Sequence, residues 1–351
     1  MDDKNEMKKI TINDVANHAG VSKKTISRVL NNEPNVSSDT KSKVRASFKT
    51  LGYRPNPHAR GLASNQSFLI GLLYDNPNKS YVSDIQNGAL ERCKADGYNL
   101  IIHPEDHDND CLLVNVENVL TEANLDGVIL TPPFSDMVAL LDLLQNKKIP
   151  FVRIGATLPF TEMPAVISND TEASYQMCRY LISLGHTQIG FIKGHPDHHV
   201  SQQRLDGYLQ ALSEIGISPE QSLIKQGYFT FESGESCARQ LLSLNNRPTA
   251  IFASNDFMAA GVLKVALQKH LSVPHDLSVT GYDNAPISRY IWPSLTTVKQ
   301  PIKAMAVEAT KVLIKLIRNK TIDNDTISFE NELVVRESSA PSPRKESVTR
   351  T

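Results

Sequence analysis

The first fifty residues carry hydrophobic side chains at helical spacing. Ile12, Val15 and Ala19 recur at intervals of three and four residues, which predicts a helix, and Thr11 precedes them as a capping side chain. Gly20 then predicts a turn, because glycine readily adopts the left-handed backbone that ends helices. The pattern therefore predicts a short helix followed directly by a tight turn.

A second helix is predicted after Ser22, with an apolar face of Ile26, Val29 and Leu30, and a third over residues 37–51. The outward side of the second helix carries basic and hydroxyl side chains: Lys23, Lys24, Thr25, Ser27 and Arg28. Two short helices joined by a tight turn form a helix-turn-helix, whose second helix enters the major groove of DNA. On periodicity alone, a plain three-helix bundle with a solvated face remains the alternative.

After residue 65 the pattern changes to short apolar runs that alternate with amphipathic segments. The predicted strands are residues 68–74, 99–103, 127–130, 151–154, 189–192, 250–253 and 277–281. The predicted helices are residues 83–95, 137–144, 173–184, 205–215, 233–244 and 258–268. This alternation indicates parallel α/β sheets with crossover helices. Two doubly wound lobes divided near Ala165 are expected, because the strands are too many for one small sheet.

Charge divides the chain at the same place. The net charge is −1, yet residues 1–65 hold 12 Lys and Arg against 6 Asp and Glu, a charge of +6, and the remainder carries −7. A basic head on an acidic body suggests that the head meets a polyanion such as nucleic acid, with a merely solvated basic face as the alternative. No run of eighteen apolar residues occurs, so no membrane partner is expected.

The N-terminus and the cysteines indicate a cytoplasmic protein. Residues 1–16 contain acidic residues and no apolar core of the kind that a signal peptide needs. The four cysteines are far apart and form no CxxC pair, which favours neither a disulfide framework nor a cysteine-based zinc site. The sequence contains no GxGxxG, P-loop or GxSxG pattern, so neither a cofactor nor an enzymatic activity is expected.

Ligands of parallel α/β sheets bind at the carboxyl ends of strands, so polar residues that follow strands are the candidates for a binding site. These residues are Asp75, Asn76, Arg153, Arg204, Asn255, Asp256 and Asp283. Three of them also have structural interpretations: a turn cap for Asp283, a helix cap for Asn255 and a salt bridge for Arg153. A metal site at His195, Asp197, His198 and His199 is disfavoured, because one short loop holds all four without a regular zinc spacing.

Longer motifs carry a family resemblance. The segments DVA (14–16), AGVS (19–22) and TISRVLN (25–31) resemble the N-terminal signature of the lac-repressor (LacI/GalR) family of transcription factors. LGYRPN (51–56) and ARGLA (59–63) resemble that family's linker and hinge helix. Further family motifs of the regulatory domain are LGH (184–186), RLDGY (204–208), SND (254–256), GYDN (281–284) and LTTV (295–298). The resemblance covers about residues 10–337.

The resemblance implies a multidomain chain. An all-α helix-turn-helix head over residues 10–54 and a hinge over 55–65 precede an α/β, two-lobed periplasmic-binding-protein-like domain over 66–337. The tail, residues 338–351, is polar and aperiodic, so we expect it to be disordered. Some members of the family that the chain resembles form tetramers through a C-terminal helix with leucine heptads. This tail contains no leucine, which favours a homodimer over a tetramer. A two-fold dimer implies a near-palindromic DNA operator.

The same resemblance implies a DNA-binding repressor that is controlled by a small effector, with a sugar as the expected effector. The implied DNA contacts are Thr11, Lys23, Lys24, Thr25, Ser27, Arg28, Asn35, Asn56, Ala59 and Leu62, with Leu62 as a wedge in the minor groove. The candidate effector contacts are Asp75, Tyr81, Arg153, Ser201, Arg204, Asn255 and Asp283. The alternatives are a regulator that responds to a purine or nucleoside, a periplasmic-type sugar-binding protein, and a sugar-acting α/β enzyme.

Overall fold

The computed structural model describes residues 10–30, 36–53, 66–158, 163–218, 220–319 and 326–343. The chain divides into a small unit, Met1–Phe68, and a large unit, Leu69–Thr351. The boundary falls within three residues of the change in hydrophobic pattern at residue 65.

The small unit contains the three predicted helices: α1 (Ile12–Ala19), α2 (Lys23–Leu30) and α3 (Ser38–Leu51). Thr11 and Asp14 form a reciprocal capping box at the start of α1, and Gly20 ends it with a φ of 66°. The buried core draws on all three helices: Val15, Ala16, Ile26, Val29 and Val44. The predicted helix-turn-helix is therefore confirmed.

The large unit contains twelve strands and nine helices of at least four residues within its described parts. The strands are β1 (Leu69–Tyr74), β2 (Asn99–Pro104), β3 (Gly127–Leu130), β4 (Phe151–Ile154), β5 (Ala165–Ser168), β6 (Ile189–Lys193), β7 (Ile224–Gln226), β8 (Ala250–Ala253), β9 (Ser278–Thr280), β10 (Thr297–Lys299), β11 (Ile327–Phe329) and β12 (Glu332–Val334). The helices are α4 (Lys79–Asp96), α5 (Leu112–Glu122), α6 (Val138–Asn146), α7 (Asp170–Ser183), α8 (Val200–Ser213), α9 (Phe231–Leu241), α10 (Asp256–Gln268), α11 (Ile287–Tyr290) and α12 (Ile302–Ile317).

These elements form two α/β lobes, as predicted. The first lobe holds a parallel six-stranded sheet in the order β11–β5–β4–β3–β1–β2. The second holds a parallel four-stranded sheet, β7–β6–β8–β9, and an antiparallel pair, β10–β12. Because every strand within each main sheet is parallel to its neighbours, the loops at its carboxyl ends gather along one edge.

The predicted division near Ala165 needs a correction, because the lobes are not continuous in sequence. The second lobe begins with α7, but α12 and β11 return to the first lobe, where α12 packs along α4. Gly88 on α4 permits this close packing, since a Cβ atom there would lie 2.4 Å from the carbonyl oxygen of Lys303. The buried face of α12 includes Met305 and Leu313.

The predicted disorder of the tail is wrong for residues 338–343. The backbone N–H of Val279 on β9 donates to the carbonyl of Ser338 (2.8 Å), and the N–H of Ser342 donates to the carbonyl of Leu184 (2.8 Å). Ser338 is fully buried. Hydrogen bonding to neighbouring backbone orders this polar segment although its composition offers little hydrophobic surface. Residues 344–351 lie outside the described residues.

Among the helices of the described segments, none is both long enough and apolar enough to cross a bilayer.

Candidate nucleic-acid interface and inter-lobe cavity

Helix α2 presents a polar surface opposite its core face. The hydroxyl of Ser22 accepts a hydrogen bond from the backbone N–H of Thr25 at 3.1 Å, which caps the helix as predicted. Lys23 and Lys24 are exposed, and Arg28 is half-buried. Like Arg28, Thr25 and Ser27 are half-buried, so the candidate DNA contacts of α2 all retain surface outside the core.

The described part of the small unit carries an excess of positive charge. Its basic residues on α2 and α3 are Lys23, Lys24, Arg28, Lys41, Lys43, Arg45 and Lys49. Its acidic residues are Asp14 and Asp39, and Asp14 is engaged with Thr11, whose hydroxyl donates to Asp14 Oδ2 at 2.7 Å. Thr11 is exposed beside this cap. Such an excess suits contacts with phosphates.

Four further candidate DNA contacts, Asn35, Asn56, Ala59 and Leu62, lie outside the described residues.

A cavity of about 40 Å³ lies between the two lobes of the large unit, where the carboxyl ends of both sheets meet. Its polar lining comes from both lobes and from the connections between them: Asn76, Asn78, Tyr81, Ser168, Asp170, His198, Arg204, Asp283 and Gln300. Phe229, Ile302 and Met305 supply apolar surface. Strand-end loops thus place hydrogen-bonding groups on opposite walls of one cavity.

Asp283 is the main acceptor in the cavity. Its Oδ2 accepts from Asn78 Nδ2 and its Oδ1 from Gln300 Nε2, both at 2.7 Å, so the carboxylate links the two lobes. Its backbone has a φ of 101°, a conformation that non-glycine residues seldom adopt and that often marks functional sites. Burial, only partly offset by Arg204 and Gln300, raises the pKa of Asp283 to about 6.

Arg204 is fixed by three groups of the second lobe. Its Nε donates to Asp170 Oδ1 at 2.8 Å, and one terminal nitrogen donates to the carbonyl of Ser254 at 2.6 Å. Its guanidinium carbon lies 3.8 Å from the centroid of the Tyr282 ring. The same terminal nitrogen is 3.7 Å from Asp283 Oδ1. A buried cation is thus held between two carboxylates, in position to donate to ligand oxygens.

His198 adds a neutral ring to the cavity wall. Burial, followed by the neighbouring His195 and His107, lowers the pKa of His198 to about 3. Its ring lies 5.6 Å from that of Phe229, centroid to centroid. At neutral pH this ring therefore offers one donor, one acceptor and an aromatic face without a charge.

Of the seven predicted effector contacts, Tyr81, Arg204 and Asp283 line the cavity. Burial raises the pKa of the Tyr81 hydroxyl, which keeps it neutral near pH 7. These three predictions placed the residues correctly, and their contact with a ligand remains a prediction.

Two other candidates make structural contacts. Asn255 is fully buried, and its side chain accepts from Met258 N–H (2.9 Å) and donates to the carbonyl of Phe229 (2.8 Å). It is the N-cap of α10, the alternative that the sequence left open. Arg153 is also buried, where it donates to the carbonyl of Leu158 (3.1 Å) and lies 3.6 Å from Asp136. The contacts of Arg153 therefore support the salt-bridge interpretation that the sequence left open.

The last two candidates, Ser201 and Asp75, are not among the described residues that line the cavity. The hydroxyl of Ser201 donates to the carbonyl of His195 at 2.7 Å. Asp75 pairs with His107, since its Oδ2 is 2.6 Å from Nδ1 of that ring. Both side chains support loops beside the cavity.

The sequence analysis missed Asn78, Asp170, His198, Phe229 and Gln300 as lining residues. Asn78 could have been predicted as a lining residue. It caps the helix that follows a strand, and such a side chain lies at the carboxyl edge of the sheet. Asp170 follows β5, a short strand that the hydrophobic pattern did not reveal, and Gln300 follows β10, which overlaps the LTTV segment.

Comparisons with known proteins match both units of the chain. Residues 11–56 match the family described as bacterial regulatory proteins, lacI family, and residues 178–339 match a periplasmic binding protein-like domain. The chain is 34% identical over 335 residues to the HTH-type transcriptional regulator DegA of Bacillus subtilis (strain 168). That alignment covers 95% of this chain and 99% of DegA.

Two solved structures are similar over nearly the full chain. The complex of the transcriptional regulator CelR with cellobiose matches with a TM-score of 0.73 and 28% identity, covering 94% of this chain and 100% of that one. The lac repressor dimer bound to operator and the anti-inducer ONPF matches with a TM-score of 0.75 and 27% identity, covering 95% and 100%. In both structures the likeness spans the small and the large unit.

Proposed function

This chain belongs to the lacI family of bacterial regulatory proteins, and from that premise we propose that it is a transcriptional repressor whose DNA affinity is set by a sugar bound between its two lobes. The observation that carries the effector half of this proposal is the buried row Asp170–Arg204–Asp283 in the inter-lobe cavity. Carboxylates accept from sugar hydroxyls and a guanidinium donates to sugar oxygens.

The DNA half of the proposal rests on α2. Its N-terminal end carries Lys23, Lys24 and Thr25, and Ser27 and Arg28 follow one turn later. Lys and Arg contact phosphates and guanine edges, and hydroxyls contact phosphates and base edges. We assign base reading to Arg28, because an arginine fork pairs with guanine in two places.

We propose that the protein acts as a homodimer on a near-palindromic operator. Leu267, Tyr290 and Trp292 are respectively 75%, 83% and 83% exposed, and Leu267 and Trp292 line one surface groove of the second lobe. Large apolar side chains grouped on a surface favour burial against a partner. The similar lac repressor structure is described as a dimer on operator, which supports a second copy of this chain as that partner.

A sugar is favoured over a purine as the effector. The cavity wall is rich in groups suited to hydroxyls, among them Asn78, Arg204, Asp283 and Gln300. The similar CelR structure holds cellobiose, which points in the same direction. A nucleoside is the second candidate, because Phe229 and the neutral ring of His198 offer aromatic surface for a base.

Effector binding requires the cavity to enlarge. A cavity of about 40 Å³ has room for about three water molecules, which is too small for a sugar ring. The lobes must therefore separate, or the lining side chains must shift, before a sugar enters. A ligand that binds one lobe arrangement better than the other shifts the population between them, and that shift is the proposed switch for DNA binding.

The proposed role is one of binding and includes no catalytic step. We place the protein in the cytoplasm, because a repressor of this kind acts where the bacterial chromosome is. A periplasmic sugar carrier is disfavoured, since the lacI-type helix-turn-helix would serve no purpose there.

The effector is identified by a thermal-shift screen of the full chain against sugars, sugar phosphates and nucleosides. A ligand at a hundredfold excess over its Kd stabilises the protein by about 2.7 kcal/mol. We expect a sugar to raise the melting temperature of the wild type and to have no such effect on Asp283→Ala. Stabilisation by nucleosides alone, or equal stabilisation of the variant, contradicts the proposed site.

A further inference from the structure

Two loops from different lobes bring a histidine pair and a carboxylate together beside the effector cavity. His107 lies in the loop between β2 and α5 of the first lobe, and His195 and Asp197 lie between β6 and α8 of the second. His107 Nε2 is 3.1 Å from Asp197 Oδ2, and His195 Nδ1 is 3.5 Å from the same oxygen. One potential ligand atom from each of the three residues lies within 4.8 Å of the other two.

Both ring nitrogens of His107 face carboxylates. His107 Nδ1 is 2.6 Å from Asp75 Oδ2, which only accepts, so Nδ1 carries the proton of the neutral ring. In that neutral form Nε2 would carry a lone pair facing the carboxylate of Asp197. Two acceptors this close repel each other unless a positive charge lies between them. A second proton on the ring or a metal ion would supply that charge.

His195 Nδ1 carries no proton, because it accepts a hydrogen bond from the backbone N–H of Asp197 at 3.3 Å. An ion at this nitrogen would replace that long hydrogen bond. Negative charge surrounds the group, because Asp108 lies 3.5 Å from His107 Nε2 and Asp75 lies behind the ring. The His107 and His195 side chains are 13% and 21% exposed, which leaves a path for an ion.

We propose that His107, His195 and Asp197 form a binding site for a divalent transition-metal ion of the zinc class. Bonds of about 2.0–2.1 Å in a tetrahedron place ligand atoms about 3.3 Å apart, and the two distances to Asp197 Oδ2 bracket that value. Imidazole nitrogens select such ions over Mg²⁺ and Ca²⁺, which prefer oxygen. Asp75 would orient His107 through its other nitrogen, a common arrangement around bound zinc.

The proposed ion would link the two lobes. It takes one ligand from the first lobe and two from the second, and the ring of His195 lies 5.3 Å from that of His198, which lines the effector cavity. The three protein ligands leave a fourth position for water. The sequence disfavoured a metal site because the second-lobe histidines share one loop, and the fold adds the missing ligand from the first lobe.

The test is titration of the full chain with Zn²⁺ after removal of metals with a chelator, without DNA or effector. Isothermal calorimetry gives affinity and stoichiometry, and Co²⁺ in place of Zn²⁺ gives the strong visible absorption of a tetrahedral site. The variants are His107→Gln, Asp197→Asn and Asp75→Asn. His199→Gln is the matched control, because His199 is an exposed histidine of the same loop outside the ligand group.

We expect one ion per chain, lost in His107→Gln and in Asp197→Asn and retained in His199→Gln. Asp75→Asn should bind about 10–100-fold more weakly, since it removes only the group that orients His107. Absence of binding to the wild type overturns the proposal and assigns the positive charge to a protonated His107. Equal binding by wild type and His107→Gln also overturns it, because the ion would then be held elsewhere. Because DNA and effector are absent, neither result bears on the repressor proposal.

Discussion

Replacement of Asp283 by asparagine tests the electrostatics of the effector cavity without requiring the effector. Asp283 is buried with Asn78 and Gln300 as hydrogen-bond donors, and burial raises its pKa from the ordinary 3.8 to about 6. The Asp283→Asn variant keeps the shape and removes the charge. It also loses one acceptor, which changes stability by an amount independent of pH.

The expected magnitude follows from the pKa. Because the pKa of Asp283 is raised from 3.8 to about 6, its ionised form is disfavoured in the folded protein by about 3 kcal/mol. Since the folded pKa lies above the unfolded one, the folded protein binds more protons between pH 4 and pH 6. The associated stability is present in full below about pH 4 and is lost as the pH rises through 6. The variant lacks this dependence.

The assay is urea unfolding of wild type and variant between pH 4 and pH 8, followed by circular dichroism. The free energy of unfolding of the variant minus that of the wild type should rise by about 3 kcal/mol from pH 4 to pH 7. Asp206→Asn, which removes an exposed carboxylate of α8, controls for the loss of one negative charge. A difference that stays constant across this range would refute the argument that Asp283 is a desolvated carboxylate.

Three further substitutions test other parts of the account. Arg28→Ala should weaken operator binding by about 1–3 kcal/mol and relax preference at one base position, whereas an equal loss on all DNA sequences in competition assays would make Arg28 a phosphate contact. Leu62→Ala should reduce specific affinity and DNA bending while the melting temperature and the salt dependence of non-specific binding stay unchanged; lowered melting with unaltered bending would instead indicate a core leucine. Gly88→Ala should destabilise the large unit by about 1–3 kcal/mol in chemical denaturation, because its Cβ would lie 2.4 Å from the carbonyl oxygen of Lys303. A variant more stable than the wild type would instead mean that α12 moves away from α4 at little cost in free energy.

The small unit could be predicted almost to the residue because its signals are local. Thr11 and Gly20 cap the first helix where the sequence placed the caps, and Ser37 and Gly52 cap the third helix, which was predicted over residues 37–51. The strands β1–β4, β6, β8 and β9 were also predicted, since each lies in a mostly apolar run. The strands β5, β7, β11 and β12 were missed because they have only three or four residues each and depend on distant partners.

Long-range packing explains the remaining differences. No local pattern indicates that α12 returns to the first lobe, because that placement depends on its fit against Gly88 of α4. In the cavity, Asp283 could be found from a strand end and Arg204 from the family motif RLDGY. Asn255, by contrast, has the same sequence position whether it caps a helix or contacts a ligand. The approach of His107 to Asp197 needs both lobes in place and had no signal in either loop alone.

The central claim is that one chain reads operator DNA and adjusts that reading to a sugar. The most direct test selects binding sites for the full chain from random DNA and then measures affinity for the selected site by fluorescence anisotropy, with and without the sugar that stabilises the protein. The account predicts a near-palindromic site and a change in affinity on addition of the sugar that disappears in Asp283→Ala, whose DNA binding stays intact. Enrichment of no common site, or a sugar that binds the chain and leaves its DNA affinity unchanged, would contradict it.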